Sequence, residues 1–586
     1  MTLRTLAEGA AARLRARDDG APDGPAAGSA ERAPDPPAGR PAEASARHAW
    51  PALAGLAAGL LALGPGLAPG YLLSYDMVFV PRMPFSAALI GLTGGPPRAV
   101  PSDAVVAVAS LLVPADVLQK LILLLIFVMA CSGAAALLDR GWPGGAPLPA
   151  RLAAGVFYAW NPYLAERLLI GQWALLLGYA GLPWVLRLIC TAPGRTRPAR
   201  LLCVMLPAAI GGFAAMGITV LAAVPAALCR AEPASERARR LVTVAGCAAV
   251  LSLPWLIPAF AVAVRTDPRG VDAFAARADT PFGRLGSLVM LSGIWNAQTV
   301  PRGYGGAGSA VWLLVVAAAL CGYLLLARAR RAAPGLGIAA LAGLAIAAIG
   351  VTSPTRAALR DLVAAWPGFA VLRDGQQFAA PLALAEAVGL GGLAAWIVTG
   401  AGRQARQATA ALAAMAVLAP VVLLPGMAWG LAGRLRPVAY PADWLRARQA
   451  IDGDPARGTV LLLPWAAYRR YPWNGGEAVY DPWSRLLGRE VISNDGLQVG
   501  NTTLGQESAD SIRLNRIVTT RGPLTAALRA AGVLYVLVDA GPLLGAPGHA
   551  AGQALAARAR LPGAQVVMVG RDLVVFRLPA VPGRPR

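Results

Sequence analysis

Apolar residues recur along this chain in blocks of about 20, the length at which a helix crosses a bilayer core, from Pro51 to Leu431. Segments rich in arginine, proline and glycine separate them. The period-two alternation of a membrane β-barrel is absent, which leaves helices as the way to satisfy backbone amides in lipid. Eleven spans are predicted, at about residues 51–70, 118–138, 150–163, 170–190, 201–215, 216–229, 241–264, 308–327, 334–353, 379–399 and 409–430. The stretch 201–229 reads as one tilted helix or as two broken at Gly211, Gly212 and Gly217. From about Arg434 the pattern changes: TVLLLPW (459–465), GVLYVLVDA (532–540) and AQVVMVGRDLVVFRLP (564–579) predict short buried strands, the last a hairpin turned at Gly570. The expectation is a polytopic α-helical membrane protein with a C-terminal extracytoplasmic α/β domain. Its parts are a disordered cytoplasmic tail (1–48), a transmembrane domain (49–433) and the α/β domain (434–586).

Composition agrees: 56% of the 586 residues are hydrophobic and 14% charged, against about 25% charged in soluble domains. The net charge of +22 is arginine, since Lys120 is the only lysine, and topology accounts for it better than nucleic acid. Predicted cytoplasmic loops hold fifteen arginines and three acids, outside loops eleven and nine. The positive-inside rule therefore puts the N-terminus in the cytoplasm and the C-terminal domain outside a plasma membrane. The first 47 residues have seven arginines, seven acids and no apolar core of a secretory signal. With six scattered cysteines, no CxxC and two histidines, neither a zinc site nor a disulfide framework is expected.

Polar residues that interrupt the apolar pattern gather at the outer ends of spans. In GYLLSYDMVFVPRMPF, Asp76 follows the first span, with Arg82 and aromatics nearby. A carboxylate there can accept a proton from a sugar hydroxyl and an arginine can hold a phosphate; the plainer alternative is an ion pair with Arg82 or a helix cap. FYAWNPYLAERLLIGQW (157–173) carries Glu166 and Arg167 in an outside turn, either as site residues or as a mutual pair. WPGFAVLRDGQQF (366–378) brings Arg373, Asp374 and Gln377 to the start of span ten. Glu386 follows at a depth where a charge costs on the order of 3 kcal/mol unless it faces protein or water. Asp267, Asp272 and Asp279 sit in a longer loop that predicts freer geometry. The aromatic run 461–489 fits a carbohydrate-facing surface or an inter-element packing surface equally. No P-loop, GxGxxG, HExxH or suitably placed GxSxG occurs, which disfavours an ATP-driven pump.

Taken together, an aspartate in the first outside loop, the NPYLAERLLIGQW turn, the LRDGQQF loop and a C-terminal outside domain resemble GT-C membrane glycosyltransferases. The likeness is to actinobacterial arabinofuranosyltransferase and mannosyltransferase relatives and to YfhO-like membrane proteins, and covers most of residues 50–580. It implies a GT-C-like transmembrane domain. It also implies inverting transfer of a sugar from a polyprenyl-phosphate donor to an envelope glycan or glycolipid at the outer face. Asp76 is the implied base, with Glu166 in reserve. Arg82, Arg167, Arg373, Asp374, Gln377 and Glu386 are the implied substrate-binding set. No cofactor is required, although a divalent metal assists some such enzymes. The sequence departs from a paired-acid pattern, having Tyr75 and Met77 on either side of Asp76. The alternative is a non-catalytic membrane protein that transports or scaffolds envelope lipids.

Overall fold

The structure, a computed structural model, describes residues 41–92, 99–142, 144–191, 197–261, 266–400, 405–500, 502–539 and 556–579. Residues 1–40 of the predicted tail lie outside this set, and residues 47–586 form one compact unit.

Helices build the larger part. In chain order they are α1 (Pro41–Leu63), α2 (Ser102–Ala109), α3 (Ala115–Asp139), α4 (Leu148–Ala159), α5 (Pro162–Leu169), α6 (Trp173–Thr191), α7 (Pro198–Ile210), α8 (Gly212–Leu228), α9 (Ala234–Ala261), α10 (Gly308–Arg328), α11 (Leu336–Ala348), α12 (Ser353–Ala365), α13 (Ala380–Gly400) and α14 (Arg406–Leu423). Among the described residues six helices are long and apolar enough to cross a membrane, and two bent pairs bring the total to as many as eight. The chain is a multi-pass membrane protein.

Several predicted spans take a different form, each for a local reason. The one at 150–163 is the 12-residue α4, because Asn161 starts a new helix: its Oδ1 accepts the Leu164 amide at 3.0 Å and Pro162 occupies the first turn. The 201–229 segment is two helices, α7 and α8, divided at Gly212 with φ +74°, a backbone state that favours glycine. The one at 334–353 is α11, followed by an 89° bend into α12, where Thr352 caps and Pro354 begins the next helix. Helix α10 approaches α13 closely. A Cβ on Gly389 would fall on the Ala319 carbonyl oxygen, the use of small residues typical of membrane helix contacts.

The C-terminal part carries the predicted strands, and the first outside loop joins it. Strand β1 (Tyr71–Leu72) pairs antiparallel with β2 (Pro437–Val438). Helix α15 (Ala442–Asp452) leads to β3 (Thr459–Leu463), the hairpin of β4 (Tyr468–Arg470) and β5 (Ala478–Tyr480), β6 (Val491–Ile492), and a second hairpin of β7 (Leu497–Val499) and β8 (Thr502–Leu504). Strands β9 (Val533–Asp539), β10 (Gln565–Val569) and β11 (Leu573–Arg577) follow. The main sheet has the order β10-β11-β9-β3-β6, with β3 parallel to β6 and β9 and the β10–β11 hairpin antiparallel. One face of this sheet shares a continuous apolar core with the helices. The aromatic run turns inward: Trp444 of α15 stacks on Trp483 at 4.3 Å, and Tyr471 on Trp473 at 5.0 Å. Trp444, Tyr471 and Trp483 are buried, so packing, not an exposed carbohydrate surface, is the role of these rings.

Candidate functional site

The segment after β1 is pinned from two sides. Tyr75, at φ +43°, donates its amide to the Ala478 carbonyl at 2.6 Å and accepts from the Tyr480 amide at 2.8 Å. From the helical side, the Asp76 amide donates to the Ile170 carbonyl at 3.1 Å, and Ser74 Oγ donates to the Leu169 carbonyl at 2.6 Å. Gly171, at φ +83°, permits this approach, since a Cβ there would fall on the Met77 amide nitrogen and the Ser74 carbonyl oxygen. Asp76 is half-buried. Its Oδ1 accepts the Tyr468 hydroxyl at 2.5 Å, and its charge is felt by Arg485, which pairs with Asp103 of α2 at 2.6 Å.

Helix α5 presents the second group. Glu166 is 2% exposed and Arg167 1%, yet the two do not form the mutual ion pair that sequence allowed. Glu166 Oε1 accepts the Ser292 hydroxyl at 2.6 Å. The same hydroxyl lies 3.2 Å from Asp279 Oδ2, which also accepts the Gly293 amide at 3.0 Å. The Arg167 guanidinium lies over the Tyr163 ring at 5.2 Å, and its Nε and Nη1 have no hydrogen-bond partner among the described residues. Tyr163 ties this helix to the third predicted group: its hydroxyl donates to the Gln377 carbonyl at 2.7 Å, and Asp374, whose Oδ1 is also without a hydrogen-bond partner, is close enough for its charge to act on Tyr163.

The remaining predicted residues separate. Arg373 does not pair with Asp374; its Nη1 meets Glu507 Oε1 at 3.1 Å and its guanidinium lies over Phe274 at 5.0 Å. Arg82 is exposed and lines a groove with Pro81, Leu445, Arg448, Gln449 and Asp452, a set that includes none of Asp76, Glu166 or Arg167. Glu386 is fully buried in α13, and neither of its carboxyl oxygens has a hydrogen-bond partner among the described residues. The sequence carries no signal for Ser292 and Glu507, while Tyr468 and Arg485 stand out in it only as part of the aromatic run 461–489, not as partners of Asp76 and Asp103. Sequence reasoning also discounted Asp279 for its loop, whose backbone Ser287 in fact pins through the Asp279 and Thr280 amides at 3.0 and 3.1 Å.

Among the described residues no three His, Cys, Asp or Glu side chains gather as a metal-holding group. The Glu166 and Asp279 carboxylates are engaged by Ser292 and Arg277.

No family model matches the chain, and no curated protein matches its sequence. Solved structures do. The arabinofuranosyltransferase AftD from Mycobacteria superposes with a TM-score of 0.58 at 18% identity, over 91% of this chain and 40% of that one. A mutant form of the same enzyme gives 0.55 at 19% identity, over 91% and 42%. The fold is GT-C-like. The chain thus spans about two fifths of the length of those relatives.

Proposed function

We propose that this GT-C-like chain transfers a sugar from a polyprenyl-phosphate-linked donor to an envelope glycan or glycolipid at the outer face of the membrane. One observation carries the reading. A half-buried carboxylate, Asp76, is fixed by its backbone to the carbonyl of Ile170, three residues beyond an arginine whose Nε and Nη1 have no hydrogen-bond partner among the described residues. That juxtaposition supplies a base and an anion grip on adjoining segments. An acceptor hydroxyl oxygen attacks the anomeric carbon, and the bond from that carbon to the phosphate oxygen breaks. The electron pair leaves with polyprenyl phosphate, and the hydroxyl proton passes to Asp76. The Tyr468 hydroxyl, donating to Asp76 Oδ1, orients the carboxylate. Glu166, the reserve base, is held by the Ser292 hydroxyl at 2.6 Å, whereas Asp76 is only half-buried, which favours Asp76 as the base. Arg167 meets the donor phosphate with paired N–H groups.

The test uses the full chain in lipid nanodiscs with labelled polyprenyl-phosphate sugars. Asp76→Asn keeps size and most hydrogen bonding but removes basicity, so turnover is expected to fall roughly 10²- to 10⁴-fold, with donor affinity and yield unchanged. Transfer by Asp76→Asn at the wild-type rate, or no transfer by the wild type from such donors, overturns the proposal.

A further inference from the structure

Ser292 stands between two carboxylates, 2.6 Å from Glu166 Oε1 and 3.2 Å from Asp279 Oδ2. A serine hydroxyl carries one hydrogen and donates it once. That single hydrogen cannot fully serve both acids, and two like charges around one buried hydroxyl disfavour double ionisation.

The surroundings decide which acid stays protonated. Asp279 accepts the Gly293 amide and faces Arg277 Nε at 3.5 Å, both of which favour its anion. Glu166 has no such external cation; besides Ser292 it meets the Ile294 amide, Arg167 on its own helix and Asp279, while Tyr304 faces it from the segment before α10. Burial first, and the Asp279 charge second, push the Glu166 carboxyl well above the ordinary carboxylate range, against the pull of Ser292, Arg167 and Ile294. Burial also raises Asp279, opposed first by Arg277.

We infer that Glu166 is a neutral carboxylic acid at neutral pH, hydrogen-bonded to Ser292, and that it acts as a positioning residue by leaving the charge of Arg167 uncancelled for the donor phosphate. The role rests on the proposed function; the protonation state does not. An ionised Glu166 beside Arg167 would offset the guanidinium and repel a phosphodiester. Because the carboxyl is raised, the neutral form persists at low and neutral pH and is lost as pH climbs through its folded-state value.

Two measurements on the full chain in nanodiscs separate these points. In the infrared difference between wild type and Glu166→Gln, a protonated-carboxyl C=O band should be present in the wild type at neutral pH and give way to carboxylate at alkaline pH. A difference showing only carboxylate at neutral pH overturns the inference, whatever the activity. Asp279→Asn should move that titration to lower pH, and an unmoved titration overturns the shared-proton account. The second measurement is binding of a polyprenyl-phosphate sugar without acceptor, a probe whose phosphodiester keeps one charge throughout. Wild-type affinity should weaken above the Glu166 titration, by up to about tenfold per pH unit, while Glu166→Gln stays flat near the wild-type low-pH value. Persistence of the pH dependence in Glu166→Gln overturns the positioning role. No binding at any pH, with the carboxyl band present, overturns that role together with the proposed function.

Discussion

Of the three candidate arginines for the donor phosphate, Arg82 lines a separate groove, and the surroundings of the other two distinguish them. Arg373 is already committed to Glu507 and to the face of Phe274, so its charge joins the helical part to the C-terminal part. Arg167 is buried, with Nε and Nη1 lacking a hydrogen-bond partner among the described residues, a partner that the proposed donor phosphate would supply. Lysine cannot reproduce a planar pair of N–H groups. Arg167→Lys is therefore expected to weaken binding of a polyprenyl-phosphate sugar roughly 10- to 100-fold, on a charged hydrogen bond's worth of about 1.5–3 kcal/mol, while Arg373→Lys, which can keep the Glu507 pair, changes it less than threefold. Equal losses in a titration of both variants would return Arg373 to the site. Asp76, Glu166, Arg167 and Asp374 were legible in sequence because each interrupts apolar residues near a span end. Their partners were not: Tyr468 is 392 positions from Asp76 and Ser292 is 126 from Glu166, and such pairings are set by the fold, not by local pattern.

At the scale of elements, the site depends on the last turn of α5 resting on residues 74–77. Gly171 makes that contact, and Gly171→Ala meets two penalties: about 1–2 kcal/mol for the left-handed backbone, and overlap with the Met77 amide and the Ser74 carbonyl. Gly283, at φ +72° with nothing within 4 Å of its added Cβ, isolates the first penalty. Gly283→Ala should lower the melting temperature slightly and leave transfer intact, whereas Gly171→Ala should lose transfer out of proportion to its stability, since the Asp76 backbone must shift. Similar transfer rates in the two variants would show that the Asp76 loop does not need this support. The strands β3, β9 and β11 could be read from sequence because buried apolar runs between turn residues announce them, while β10 forms at the sheet edge and is largely exposed, against the expectation of a buried strand. Pairs as short as β1 and β2 have no periodicity to read. The bend after α11 was missed because apolar content continues up to Val351 while the capping residue Thr352 redirects the backbone.

For the whole molecule, contacts to the C-terminal part impose parity on the topology. Asp76 meets Tyr468, Asp103 meets Arg485, Asp267 accepts the Gly505 amide at 3.4 Å, and Arg373 meets Glu507. These four stretches therefore share one side of the membrane with the C-terminal domain, and an even number of crossings must separate each from the next. The arginine excess in the intervening short loops predicts that those loops face the cytoplasm. Cys203, Cys229 and Cys321 are exposed and the other three cysteines buried, so replacing the exposed three gives a quiet background for labelling. In that background a cysteine at Ala329, in an arginine-rich turn after α10, and one at Val569, 70% exposed on β10, are expected to react oppositely with an impermeant thiol reagent. Val569→Cys should label in intact cells and Ala329→Cys only after permeabilisation. The reverse pattern would keep the fold and the parity but place Asp76 and Arg167 on the cytoplasmic face. Labelling of both sites in intact cells would break the parity, and with it the common side that the contacts between Asp76 and Tyr468 and between Arg373 and Glu507 require.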